Sequence, residues 1–345
     1  MVIHLHIIFL LMNRKVAIPF AVVTVALVIL FAFNLAFGSV RIPLRDVLEI
    51  LFSDYQGKAS WYHIIIESRL PQSLTAVLAG SSLAVSGLLL QTLFRNPLAG
   101  PSILGVSDGA NLGVAVVMIW FSSGSYLTII TAAFAGAAAV LLVVIGFSKR
   151  VSNSVMLLII GIMVGYIASS AISILNYTAA ADKVRQFVMW GMGNFDSVSL
   201  AKLPWMASFS VVGLALSIIL IKPLNALLLG ETYAANLGVS IAKARLLIFI
   251  STGILTATAT AFCGPVSFIG LAVPHVARLM LGSSNHKQLL PMTILTGSSL
   301  ALLCNLLTVI PGGGGSLPLN AVTSIMGAPV IIYIIVNRRN IHYFN

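Results

Sequence analysis

Charge is what this sequence has least of. Among 345 residues, 19 are Lys or Arg and 8 are Asp or Glu. Soluble domains carry roughly a quarter of their residues as charge, so no water-soluble domain of useful size is built here. Cysteine is also scarce. Cys263 and Cys304 both fall within apolar runs and read as small core residues, not a disulfide or a metal pair. CxxC, HExxH and the GxxxxGKS/T phosphate loop are all missing, so neither a zinc protease nor an NTPase has support. No metal site is expected on this chain. If ATP drives the protein, another polypeptide hydrolyses it. The net charge of +11 is not a nucleic-acid footprint. The basic residues are scattered at the ends of apolar runs, where they orient a membrane chain.

What is there is apolar: 59% of the residues, with a mean hydropathy of +1.06. Runs of roughly 20 apolar residues, the span of a bilayer helix, recur from end to end. The expected fold is an all-α polytopic membrane protein of about ten transmembrane helices, some short or broken. Spans are expected at 16–37, 63–93, up to Trp120, 126–147, 155–177, 202–221 and 244–264, then a short segment to Leu281, then 289–310 and 320–337. Residues 1–15 read as an N-terminal cytoplasmic extension, frayed, with Met1 or Met12 as its start. Residues 16–345 read as one transmembrane domain. Arg14-Lys15, Lys149-Arg150 and Arg338-Arg339 mark the inner side, and most of the acids fall outside. Both termini are therefore expected in the cytoplasm.

One stretch is neither loop nor plain span. Residues 95–113 read RNPLAGPSILGVSDGANLG, with two prolines, four glycines, Arg95 and Asp108 among continuing apolar residues. Backbone of this kind enters a membrane partly unwound, sheltered by protein or by a water-filled cavity. Such segments belong to proteins that move something. GPSILG at 100–105 is echoed by GPVSFIG at 264–270. The echo lies five spans later, an odd offset that would invert the second copy.

Three other segments stand out. VRIPLRDVLEILFS at 40–53 suits a short amphipathic helix, with Ile42, Val47, Ile50 and Leu51 towards the membrane interface. AAADKVRQFVMWGMGNFDSVSLA, from 179 on, suits an outer helix and turn. The polar island at 222–245 contains GETYAANLG, a short helix with Gly238 as its stop.

Several pieces together resemble the FecCD family, the permease subunits of ABC importers for iron–siderophores, haem and cobalamin. They are ESRLPQSLTAVLAGSSLAVSGLLLQTLFRNPLAGPSILGVSDGANLG, WGMGNFDSVS, LGETYAANLGVSIAKAR, FCGPVSFIGLAVPHVARLMLGSSNHKQLLP and LPLNAVTSIMGAPVIIYII. They run in consistent order from residue 67 onwards. The resemblance implies a homodimer in the bacterial inner membrane, embedded in lipid, with the pathway on its twofold axis. It implies two cytoplasmic ATPase subunits, which hold ATP and Mg, and an external substrate-binding protein. Residues 230–238 then resemble the helix that docks on the ATPase, with Gly230, Glu231, Tyr233, Asn236, Leu237 and Gly238 in that role. Residues 182–194 resemble an outer gate, with Asp182, Trp190, Gly193 and Asn194. Arg69 and Gln72 resemble positions that meet the binding protein. Gln72 stands where the family often has Arg, and Ser316 where it often has an acid, so Arg41 or Arg45 would supply the missing charge.

For Arg69 a snorkelling side chain is an equal reading. Ser82, Ser86, Asn96, Pro97, Ser102, Gly105 and Ser107 are expected along the pathway, against plain packing by small residues. Asp108 costs roughly 2.5–3.5 kcal/mol at mid-membrane, so it is expected to cap a helix start or face the pathway's inner mouth. His275 and Arg278, three apart, read as a structural pair more than as a ligand site. An iron–siderophore is the expected cargo, with cobalamin and haem as alternatives. Two other classes compete. Gly105-Val106-Ser107-Asp108-Gly109 fits the G-x-S-x-G of a serine hydrolase, with His275 as its base, but that motif needs a strand-to-helix elbow. An ion-coupled transporter would carry more buried acids.

Overall fold

The computed structural model describes residues 2–53, 55–121, 125–148, 150–151, 154–309 and 316–336, with side chains from Val16 onwards. Asp54, Lys149, glycines 312–315 and Arg338-Arg339 lie outside the described residues. Fifteen α-helices and no strand occur among those described.

The first helix, α1 (Val2–Ala36), runs unbroken from residue 2 into the first span, Val16–Ala36. The helix α2 (Leu44–Phe52) packs on its outer end. The expected face of α2 is reversed. Ile42, Val47 and Ile50 are buried against Leu35 and Ile65, while Leu44, Leu48 and Phe52 are exposed. Packing on Leu35 and Ile65 of the neighbouring spans takes this apolar face out of contact with the surroundings.

Next, α3 (Ala59–His63), a π-helical stretch (Ile64–Arg69) and α4 (Leu70–Phe94) form one 36-residue apolar run. Pro71 accounts for the π-helical turn. It has no N–H for the Glu67 carbonyl and its ring crowds that oxygen, so the ladder widens.

After the unwound stretch come α5 (Val106–Ala115), a π-helical end to Trp120, α6 (Tyr126–Ser148), α7 (Ser154–Thr178) and α8 (Ala181–Gly191). Then α9 (Leu203–Ile219) bends by 53° into α10 (Ile221–Leu228). Pro223 stands four residues after Ile219 and denies its carbonyl a partner. The chain continues through α11 (Glu231–Asn236), α12 (Ile241–Cys263), α13 (Ile269–Leu281), α14 (His286–Thr308) and α15 (Leu319–Val336).

Six described helices are long and apolar enough to cross a bilayer, and the bent α9–α10 pair makes a seventh. Three shorter apolar helices cover Val106–Trp120, Ile269–Leu281 and Leu319–Ile334. At 1.5 Å per residue the first two reach only about 20 Å, short of a hydrocarbon core of about 30 Å. The unwound segments before them make up the depth. α4, α12 and α14 are the buried centre, whereas α1, α6 and α7 are mostly exposed along their length. A Cβ on Gly87 of α4 would collide with the Gly270 carbonyl of α13, so these helices touch backbone to backbone.

Candidate functional site

The bend at Leu220 sends α10 across the ends of α4 and α14. Gly230 (φ 106°) and Gly238 (φ 83°) bracket α11 in backbone that only glycine adopts cheaply. Gly238 N–H donates to Ala235 O (2.9 Å) and Val239 N–H to Ala234 O (3.0 Å), a Schellman stop as expected. Ala234 is buried beneath the helix, whereas Tyr233 and Leu237 are each 66% exposed and Asn236 is exposed. Glu231 does not join that face. Its carboxylate accepts from Arg245 Nη2 of α12 at 2.8 Å, and the guanidinium also donates to Ser148 O. The charge pair fixes α11 on α12 and leaves a rigid Tyr–Asn–Leu knob facing outwards.

The unwound stretch begins where Arg95, in left-handed backbone (φ 46°), ends α4. Asn96 Oδ1 accepts from Leu98 N–H at 2.9 Å. Pro97 O accepts from His275 Nε2 at 2.6 Å. That bond puts the His275 proton on Nε2 and turns Nδ1 to Arg278, 3.5 Å away. His275 and Arg278 are thus a buried structural pair, and His275 is not a base for Ser107. Ser102 is exposed, and Ser107 and Asp108 are half-buried at the start of α5. Gly105 packs on the backbone of Gly161 and Gly165 of α7.

The N-cap of α5 is Gly105, and Asp108 stands in its first turn. The Asp108 carboxylate lies over Gly165, where the helix dipole favours an anion. Ser82 and Ser86 do not line a pathway within this chain. Both are fully buried, bonded to Ser210 (3.2 Å) and Thr256 (2.8 Å). They join α4 to α9 and α12, because buried hydroxyls must find partners.

Asp182 is exposed in the first turn of α8, and Trp190 stacks on Phe187 with centroids 6.0 Å apart. Gly193 (φ 71°) turns the chain so that Asn194 N–H reaches Cys263 O at 2.9 Å. Sequence reasoning missed the residue that holds this corner. Asn320 accepts from Ser267 N–H (2.9 Å) and donates to Pro265 O (2.7 Å) and Gly191 O (3.2 Å). One amide stitches α8, the α12–α13 break and α15. Its signal was a lone Asn in the apolar LPLNAV.

At the end of the bundle opposite α11, the structure corrects one expected docking charge, Arg69. Arg69 is only 6% exposed. Its guanidinium donates to Leu35 O (2.8 Å), Ala36 O (2.9 Å) and Val40 O, beside Gly38. It caps the end of α1 and presents no charge to a partner. Gln72 is half-buried and donates to Asn305 Oδ1 (3.1 Å), and Asn305 donates to Asn34 Oδ1 (2.7 Å). Arg41 and Arg45 are exposed, Arg45 pairing with Glu49 at 2.9 Å.

The sequence profile of the FecCD transport family matches residues 26–337. The chain belongs to the FecCD family. Among its relatives, the hemin transport system permease protein HmuU of Yersinia pestis is 33% identical over 320 residues, 91% of this chain and 94% of that one. The vitamin B12 import system permease protein BtuC of Citrobacter koseri is 35% identical over 312 residues, 87% and 93% of the two chains. A solved structure described as an inward-facing conformation of a metal-chelate type ABC transporter superposes with a TM-score of 0.82. It shares 30% identity and covers 93% of this chain and 99% of its own. PsaBC from Streptococcus pneumoniae, at 14% identity and a TM-score of 0.52, shares the fold. This FecCD chain is a permease subunit of an ABC importer, all-α and multi-pass.

Proposed function

We propose that the chain passes a metal chelate from an external binding protein to the cytoplasm, with an iron–siderophore complex as first candidate beside haem and cobalamin. Identities of 33% to the haem relative and 35% to the cobalamin relative favour neither cargo. The observation that carries the reading is α11, a short helix held by a charge pair with its tip exposed. Tyr233, Asn236 and Leu237 dock on an ATPase subunit, which holds the ATP and Mg. Two copies of the chain flank the pathway, and both termini lie in the cytoplasm. ATP-driven closure of the ATPase pair pushes α11, and the spans shift between two arrangements. The turn at 190–194 and the exposed stretch near Ser102 line the route of the cargo. Arg41 and Arg45 meet the binding protein, where rim charges set encounter rate more than affinity.

The test is uptake in a transporter-deficient cell given this permease, its ATPase and its binding protein. Labelled ferric siderophore, haem and cobalamin are offered in parallel. One chelate enters, and Leu237→Asp abolishes both its entry and co-purification of the ATPase. Uptake without any ATPase subunit would overturn the proposal in favour of an ion-coupled transporter.

A further inference from the structure

Between α11 and the buried centre lies a connected set of side-chain bonds that joins α10, the start of α14 and the end of α4. The chain leaves α10 directly into α11, with Gly230 N–H bonded to Leu227 O at 3.0 Å, so the two helices move together. From α10, Asn225 Nδ2 donates to Asn285 Oδ1 (3.0 Å) at the N-terminus of α14. Asn285 Oδ1 is fixed as an oxygen because it also accepts Lys287 N–H (3.0 Å). Asn225 must therefore turn its own oxygen to His286, where it accepts the backbone N–H (2.8 Å) and Nδ1 (2.9 Å). That geometry puts a proton on Nδ1 of His286. Its Nε2 meets Thr92 Oγ1 of α4 at 2.8 Å. His286 is completely buried. The bonds from Asn285 through Asn225 to His286 fix one another's orientation, and Thr92 Oγ1, which also lies 2.9 Å from Leu88 O, ties His286 to α4, so displacement of Asn225 pulls on His286 and through it on α4.

We infer that Asn225 and His286 form the joint through which displacement of α11 reaches the inner end of α4. The inference rests on the reading of α11 as the contact to the ATPase. It makes Asn225 and His286 positioning residues for transport, with no contact to cargo or nucleotide. A competing route exists. The Arg95 guanidinium lies 3.5 Å from the place where a Gly230 Cβ would stand, so α11 could push the end of α4 directly.

The experiment compares amide hydrogen exchange in the complete permease–ATPase complex, nucleotide-free and trapped with ATP and vanadate. In the native complex, nucleotide alters exchange in α11 and in the inner turns of α4, residues 88–94. In Asn225→Leu the change in α11 persists, and the change at 88–94 becomes roughly two- to thirtyfold smaller. His286→Gln can still reach Thr92 and keeps the backbone N–H that Asn225 accepts, but it loses the ring Nδ1 bond to Asn225, and its response at 88–94 shrinks in the same direction. The double variant is no worse than either single one, as expected for one shared contact. Ser298→Ala removes another buried α14–α4 bond, Ser298 Oγ to Val77 O, and leaves the response intact. A full response at 88–94 in Asn225→Leu or in His286→Gln overturns the joint alone. So does loss of the response in Arg95→Ala with Asn225→Leu unaffected, or its loss in Ser298→Ala. If nucleotide leaves α11 unchanged in the native complex, the docking reading itself fails and the joint falls with it.

Discussion

Arg69 shows how far a side chain's role depends on what surrounds it. A guanidinium has five donors in a fixed plane, and here Nη1 meets the Leu35 and Ala36 carbonyls that α1 leaves unpaired at its end, while Nη2 meets Val40 O just beyond it. Gly38 has no Cβ to obstruct that plane. Removing the guanidinium strands buried carbonyls, each costing about 1–3 kcal/mol. Arg69→Met keeps the aliphatic packing and is expected to lower the thermal unfolding midpoint of the purified protein. It should leave the salt dependence of binding-protein association unchanged. Unaltered unfolding with weakened association would restore the docking role.

Among the elements, α11 is too short to be stable alone. Its position comes from two glycine turns, buried Ala234 and the pair between Glu231 and Arg245. The pair is sheltered on the arginine side, with the side chain of Arg245 9% exposed and that of Glu231 33%. Arg245→Met should loosen α11 without touching its exposed tip. Co-purification of the ATPase falls while the permease still accumulates in the membrane. Undiminished co-purification would mean that the turns alone hold the helix. The element α2 carries a related lesson. Both of its sides are apolar enough to be buried, and only the packing of Ile42, Val47 and Ile50 on Leu35 and Ile65 selects one.

Across the whole molecule, two copies of one device face each other. In each, a long helix ends, an unwound stretch follows, and a short helix starts after a residue of positive φ: Gly105 after α4 and Phe268 after α12. The end of α4 meets α10 through Thr92 and His286, while the start of α12 follows α11. These two helices therefore run in opposite directions, as the echo between 100–105 and 264–270 predicts. Cys263 and Cys304 are free and buried in this packing. A maleimide is expected to label neither in the folded protein and both after unfolding in detergent. The silent native thiols allow an orientation test in the same assay. Thr232→Cys should react only from the cytoplasm and Asp182→Cys only from outside. Labelling of both from one side would refute the assigned topology.

The class, the approximate spans, the two broken segments and the short helix at 230–238 are all legible in the order of the residues alone. Each follows from a local requirement. A bilayer demands long apolar runs, prolines and glycines interrupt them where shelter exists, and a turn of positive φ needs glycine. The sequence also carried, unread, the Pro223 that bends α9 into α10. Only the tertiary structure decided partners. That Arg69 turns inward, that Ser82 and Ser86 bond across helices, and that Asn225, His286 and Asn320 hold the inner and outer corners depends on residues up to some two hundred positions away. A buried polar group must be satisfied wherever the fold places it. Hydropathy and spacing fix how deep such a residue lies, but its partner is set by which helix packs beside it.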